Sequence, residues 1–305
     1  MSDVVISRRD TAQTTVTSQA DDDQHLVYLW LHGKSQHTQE AYQRDVNQFV
    51  DFVDLPLSLV KLQHIWAWAD YLQRVDLATS TRARKLAAVK SLFSFGHRVG
   101  YLAFNVGAAV TLPSVPDQLA ERILSSAAVQ RILALELDLR NSVLLRLFYA
   151  SGGRVSELAQ LFWGALLDRS SKAGNPAGQV TLLGKGQKTR TILLSTDTWA
   201  AIQELRKHEE SAGFGTRSNP VFRSRNGGPL SRQQIWRIVR QAAKRAGLEQ
   251  AVSPHWLRHA HASHALDNGA PTHLVKETLG HKSLTTTSKY AHARPDDSSA
   301  RYLDV

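Results

Sequence analysis

From residue 25 to about residue 112, apolar residues recur three and four apart with polar positions between them, the spacing of amphipathic helices. Residues 25–32 supply a first apolar turn or two. Thr38 is placed to cap a helix that puts Tyr42, Val46, Phe49 and Val53 on one face. Residues 63–75 predict a third helix, led by Ile65, Trp66, Ala69 and Leu72. Residues 80–99 predict a fourth, with Leu86, Val89 and Phe93 as its core stripe and Gly100 ending it. Its remaining arc carries Arg82, Arg84, Lys85 and Lys90, four cations with no acid among them. A solvated face and a phosphate-contacting face both fit such a row, and the missing acid favours the second.

The pattern changes after residue 110. Residues 1–24 are rich in Ser, Thr, Gln and Asp and read as a flexible arm. Residues 111–121 hold two prolines and few packing residues, so 113–121 reads as a linker between a helical domain, 25–112, and a second domain, 122–305. Two lobes joined this way could close around a rod-like ligand such as a duplex. In the second lobe Ser125 or Ser126 caps a helix through Leu135, and 141–150 is a long apolar helix. A polar loop at 168–178 follows a helix that starts near Arg154. Two short β-branched and leucine-rich runs, 179–184 and 190–194, flank Lys185-Gly-Gln-Lys-Thr and predict a hairpin. Residues 231–246 predict a helix with Ile235, Ile238, Val239, Ala242 and Ala246 inward and Arg237, Arg240 and Lys244 on another face. The expected fold class is mainly α with a small β-sheet in the C-terminal domain.

Charge narrows the partners. The 305 residues carry 37 Lys and Arg against 27 Asp and Glu, a formal net charge of +10. That balance points to a polyanion, with nucleic acid ahead of an anionic membrane. The absence of cysteine removes disulfides, thiolate zinc sites and a cysteine nucleophile. The polar first residues contain no apolar secretory segment, and no run reaches the roughly 18 apolar residues of a membrane span. A soluble, cytoplasmic protein is expected.

Candidate chemistry gathers in the second lobe. Arg154 follows Ser-Gly-Gly, where the chain leaves a tight turn and enters a helix whose amides attract anions. Taken alone, a helix-start arginine paired with Glu157 is the commoner arrangement. His255 and Arg258, three apart behind Ser253-Pro254, share one face at a helix start. Lys185 stands between two glycines at the hairpin tip. It is either a solvated turn residue or a proton donor to a leaving alkoxide, with Lys188 and Arg190 as competing donors. His281 follows a helix-ending Gly280, and Tyr290 comes nine positions later. A phenol of pKa near 10 attacks well only beside cations and a proton acceptor. His255, His259, His261 and His264 are dense, but no acid lies among them. No metal site is expected, and His259, His261 and His264 read as packing or supporting groups.

Taken together, Gly152-Gly153-Arg154-Val-Ser-Glu-Leu, Gly184-Lys185-Gly-x-Lys188-x-Arg190, His255-x-Leu-Arg258-His259, Leu279-Gly280-His281 and Tyr290 resemble the tyrosine recombinase (phage integrase) family. The compact Xer-type members are the most similar. The resemblance spans residues 25–290. It implies a C-shaped clamp of a helical core-binding (SAM-like) domain and a mixed α/β catalytic domain. It implies that Tyr290 attacks the scissile phosphate of double-stranded DNA, giving a 3′-phosphotyrosyl link and a 5′-hydroxyl. Arg154 and Arg258 would hold the non-bridging oxygens and Lys185 would protonate the departing 5′-oxygen. His255 would assist proton transfer and His281 would hydrogen-bond the phosphate. No cofactor is implied, since bond energy is kept in the phosphotyrosine and neither ATP nor metal is needed.

Departures from the family pattern stand at Gly153, where leucine is common and packing should loosen, at Asn105-Val106, where Asn-Pro is usual, and in the longer 168–178 loop. The implied partners are DNA and either a homotetramer on paired sites or a related recombinase. Tyr302 and Leu303 in the 291–305 tail would anchor that contact, or the tail would fray. The functions in contention are site-specific recombination (integration, excision or dimer resolution), type IB topoisomerase-like strand relaxation, and non-catalytic DNA-binding regulation. Lys188, Arg190, Arg237, Arg240 and Lys244 join the four cations of the front lobe as expected DNA contacts.

Overall fold

The computed structural model describes residues 18–116, 119–170, 176–184 and 186–281, with Ser283, Thr287 and Tyr290. The chain divides into two compact units between Pro116 and Asp117, each with its own hydrophobic core. Residues 1–17 of the expected arm and the 291–305 tail, with Tyr302 and Leu303, lie outside the described residues.

The first unit holds α1 (Asp23–Leu31), α2 (Gln36–Val53), α3 (Leu62–Arg74) and α4 (Thr79–Arg98). Residues 18–24 are not part of an arm. Ala20 is buried, Asp22 caps α1 through the His25 N–H, and Asp23 accepts from the Leu57 N–H and the Tyr101 hydroxyl at 2.9 and 2.8 Å. Composition cannot tell such capping acids from solvated ones. The core is an aromatic stack of Phe49, Trp68 and Phe93, with Phe49 edge-on to both neighbours at 6.1 and 6.2 Å. The buried stripe of α3 is Ile65, Trp68 and Leu72. Trp66, expected among its inward residues, is 56% exposed, because one step along a helix turns a side chain about 100° away from that stripe.

The α4 cations are corrected by what they touch. Asp45 of α2 is only 2% exposed and is bonded by both Arg84 and Lys85. Lys85 is itself buried and also bonds Gln48. A carboxylate withdrawn from water needs such partners, so Lys85 neutralises the core and is not available to a phosphate. Lys90 Nζ donates to the Ala108 and Val110 carbonyls at 3.1 and 2.7 Å, tying the following 3-10 turn to α4. Arg82 is half-buried and donates to Thr79 Oγ1. Only Arg84 keeps an exposed side chain, and it is paired.

The second unit is built from α5 (Ser126–Ala134), α6 (Leu139–Ser151), α7 (Val155–Ala159), β1 (Leu166–Ser170), β2 (Pro176–Leu183), β3 (Thr189–Leu194), α8 (Thr196–Ser211), α9 (Arg232–Arg245), α10 (Pro254–Asp267) and α11 (Thr272–Leu279). The strands form one antiparallel sheet in the order β1-β2-β3. Both ends of the expected 168–178 loop are strand, with Leu166 opposite Val180 and Asp168 opposite Gly178, and residues 171–175 lie outside the described residues. Two leucines were too short a pattern to show it. Tertiary packing decides it: at Gly178 a Cβ would lie 2.0 Å from the Trp199 ring of α8. Asp168 Oδ1 accepts from Trp199 Nε1 and Gln203 Nε2 at 3.1 and 3.0 Å.

Helix α8 was not anticipated, although the Ser195 cap and the spacing of Trp199, Ile202 and Leu205 carry its signal. Helix α9 keeps the expected face: Ile235, Ile238, Val239, Ala242 and Ala246 are all buried. No helix among the described residues is long and apolar enough to cross a membrane.

Candidate active site

Helix α6 stops at Gly152, whose φ of 56° is left-handed. A Cβ at this glycine would stand 2.6 Å from Leu279 Cδ2 and 2.9 Å from His261 Cδ2. Glycine therefore both turns the chain and lets α6 approach α10 and α11. Gly153 is not loosely packed, contrary to expectation. A Cβ there would meet Ser151, Leu158 and Leu182 atoms at 3.1, 3.2 and 3.3 Å, so the neighbours already fill the space a larger residue would need.

Arg154 is extended and caps α7. Its backbone N–H donates to Glu157 Oε2 at 2.7 Å and its Nη1 to Oε1 at 2.8 Å. The expected Arg154–Glu157 pair thus exists, and it leaves the rest of the guanidinium fork for other work. Arg190 Nη1 and Nη2 take the same two oxygens at 2.8 and 2.7 Å. Burial pushes the Glu157 carboxyl up, but the Arg190 and Arg154 hydrogen bonds and the Arg190 charge together bring it down to about 2. Arg190 is therefore no exposed groove contact, because its fork is matched to a buried carboxylate.

The end of α11 receives three arginines. Arg190 Nε donates to the Thr278 carbonyl at 2.6 Å, Arg258 Nη2 to Leu279 at 2.7 Å, and Arg154 Nη2 to Gly280 at 3.1 Å. The last turn of a helix has carbonyls without intrahelical donors and a partial negative charge, and cations answer both needs. Arg258 also donates to the Gly152 carbonyl. Burial, then the charges of Arg154 and Arg190, lower its pKa to about 10, which leaves it a cation at neutral pH. Gly280, at φ 64°, turns the chain out of α11 towards His281.

Tyr290 lies beside this cluster, 4% exposed, its ring packed with Ala262, Val275 and Leu279. Its hydroxyl is 2.8 Å from His259 Nδ1. Its ring is parallel to that of His281 at 6.2 Å, with an interplanar angle of 7°. Burial raises the phenol pKa and the Arg258 charge offsets part of the rise. His281 Nδ1 is 2.9 Å from Thr287 Oγ1. Burial, then Arg258 and Arg154, take His281 down to about 4; burial, then His255 and Arg258, do the same for His259. His255, one turn before His259 at a ring separation of 6.4 Å, is lowered by partial burial and the charges of Arg258 and Arg154.

The histidine run divides by function in a way the sequence did not disclose. His259 touches the tyrosine hydroxyl, whereas His261 and His264 brace α6 through the Tyr149 carbonyl and hydroxyl. A signal existed in the offset: His259 adjoins Arg258 and follows His255 by four residues, one helical turn. Among the described residues, no cluster of three or more His, Asp or Glu could hold a metal ion. Lys185 lies outside the described residues, and Lys188 in the same turn is exposed. On α9, Arg237, Arg240 and Lys244 are exposed and, with Leu248 and Gln250, line a groove of about 650 Å³.

Comparison with known proteins agrees with this geometry. Residues 120–296 match the phage integrase family and residues 23–100 match the phage integrase N-terminal SAM-like domain. Tyrosine recombinase XerD of Corynebacterium glutamicum is 31% identical over 293 residues, covering 89% of this chain and 94% of that protein. Tyrosine recombinase XerC of Xylella fastidiosa is 34% identical over 278 residues, covering 87% and 90%. Among solved structures, XerH bound to its difH substrate aligns with a TM-score of 0.69 at 19% identity, over 87% of this chain and 77% of that one. A lambda integrase tetramer bound to a Holliday junction aligns with a TM-score of 0.70 at 18% identity, over 93% and 81%. With a helical first unit, a small antiparallel sheet and an arginine cluster beside a buried tyrosine, this chain belongs to the phage integrase family and is a tyrosine-type site-specific DNA recombinase of the Xer-like kind.

Proposed function

We propose that Tyr290 is the nucleophile that cleaves DNA strands at a specific site, and that Arg154 and Arg258 hold the scissile phosphate. The observation that supports this most is the placement of the Tyr290 hydroxyl on His259, under the charge of Arg258. Phosphoryl transfer rewards fixed positive charge, and the end of α11 fixes Arg154 and Arg258 before any substrate arrives.

Tyr290 Oη forms a bond to phosphorus while the bond to O5′ breaks, and Lys185 gives the departing oxygen its proton. The phenol proton passes to His259 Nδ1, the ring in contact with the hydroxyl, which its lowered pKa keeps neutral at pH 7, and His255, one turn away, assists the transfer. His281 Nδ1 is paired with Thr287 Oγ1, and in the tautomer that carries its proton on Nε2 the neutral ring would donate to a phosphate oxygen. A partner strand's 5′-hydroxyl reverses the step. The exposed α9 cations, with Lys188, contact the flanking backbone. The working assembly is a tetramer of this chain, or of this chain and a related recombinase, on paired duplex sites in the cytoplasm. Resolution of chromosome or plasmid dimers is the role favoured by similarity to XerC and XerD along nearly the whole chain.

The test is incubation with a suicide-nicked duplex library, followed by sequencing of covalently captured fragments. The proposal expects one recurring site, captured by wild type and never by Tyr290→Phe. A denaturation-resistant adduct formed by the phenylalanine variant would remove Tyr290 from the reaction.

A further inference from the structure

We propose that Arg190 is a positioning residue for strand cleavage, holding Arg154 towards the phosphate by saturating Glu157. The inference rests on the reading of Arg154 as a phosphate ligand.

Glu157 is a carboxylate whose side chain is 2% exposed, and it accepts four hydrogen bonds. Two come from Arg190, one from the Arg154 backbone and one from Arg154 Nη1. Arg190 therefore takes half of the acceptor capacity with its paired terminal nitrogens. Its third nitrogen, Nε, donates to the Thr278 carbonyl, and its side chain is 12% exposed against 33% for Arg154. Arg154 is left with a single side-chain bond to Glu157 and one to Gly280. A third of its side chain is open to solvent.

Without Arg190 the balance reverses. Two lone-pair positions on a carboxylate withdrawn from water lose their donors, a costly state in low dielectric. The adjacent guanidinium is that of Arg154, and a two-pronged Arg154–Glu157 pair would swing its Nη2 away from Gly280 and the phosphate. Lysine cannot substitute, because one point donor replaces neither the fork nor the Nε contact. Arg190 also stands opposite Leu182, one pair before the turn that closes the hairpin, so it ties the start of β3 to the last turn of α11, which leads into His281.

The test compares wild type, Arg190→Lys and Arg190→Met on a nicked duplex carrying the captured site. Three quantities are read: thermal melting, affinity by gel shift, and single-turnover adduct formation at saturating DNA. The same duplex is also made with a methylphosphonate at the scissile position, which carries one negative charge fewer for Arg154 to neutralise. Both variants are expected to bind as wild type does. On the ordinary phosphate, cleavage should fall about tenfold for lysine and about a hundredfold for methionine, the scale of a misplaced ligand. On the methylphosphonate the three rates should converge. If Arg190→Met unfolds, Arg190→Lys carries the test, since it keeps a cation beside Glu157. Equal rate losses on both substrates, or wild-type cleavage by a folded variant, would overturn the proposal. Failure of wild type itself to form an adduct would instead reject the recombinase chemistry and take this inference with it.

Discussion

The Tyr290 hydroxyl and His259 Nδ1 stand 2.8 Å apart, and His259 is the residue directly after Arg258. One helical step thus supplies the cation nearest the phenol and the hydrogen-bond partner of its hydroxyl. Replacing His259 with Phe leaves a buried hydroxyl without its partner, a cost of about 1–3 kcal/mol. Adduct formation at saturating DNA should fall about a hundredfold while gel-shift affinity holds. Wild-type cleavage by that variant would assign the phenol proton to another group.

Arg154→Ala should separate catalysis from binding. Loss of one fixed donor to a transferring group costs about 10²–10³ in rate, whereas one phosphate contact among many changes affinity little. Equal losses in adduct rate and in gel-shift affinity would reduce Arg154 to backbone neutralisation.

Lys185→Ala should be inactive on an ordinary site and restored by a 5′-bridging phosphorothiolate, whose thiolate leaves without a proton. A variant equally slow on both substrates would move the acid role to Lys188, exposed in the same turn.

Acid should weaken the second unit through its histidines. His259 and His281 fall from an ordinary 6.5 to about 4 in the folded chain, so between those values the unfolded state binds more protons. Stability is therefore complete above about pH 6.5 and declines as pH drops towards 4. Each ring contributes on the order of 1 kcal/mol after allowing for solvent screening. Urea unfolding at a series of pH values should show a shallower decline in His259→Gln and His281→Gln, and an unchanged slope would contradict the assigned shifts.

Cations on α4 and α9 should respond differently. Asp45→Ala strips a buried acid from Arg84 and Lys85 and should cost about 3–5 kcal/mol of stability. Arg240→Ala and Lys244→Ala should leave melting unchanged, weaken DNA binding and each reduce the salt slope by about one. If Lys85→Met instead weakened binding with a normal melting curve, the buried pair would not be its main role.

The sequence by itself determined the elements with a strong period and the residues whose chemistry is fixed by type. The α9 face, the Ser253-Pro254 start of α10 and the stop at Gly280 were legible because caps and periodicity act within a few residues. The sequence also singled out Arg154, Arg258, His281 and Tyr290 by residue type, and the fold brings them together at the end of α11. Tertiary structure alone decided which polar residues face each other. Lys85 and Arg190 look like surface cations in a line of letters, but Asp45 and Glu157 draw them inward from distant segments. Strand β1 is held where Trp199 of α8 packs over Gly178 and donates to Asp168, and His259 reaches Tyr290 only once α10 and α11 pack. Burying a charge is tolerable only beside its partner, and which groups become partners across 30 or more positions is settled by the fold.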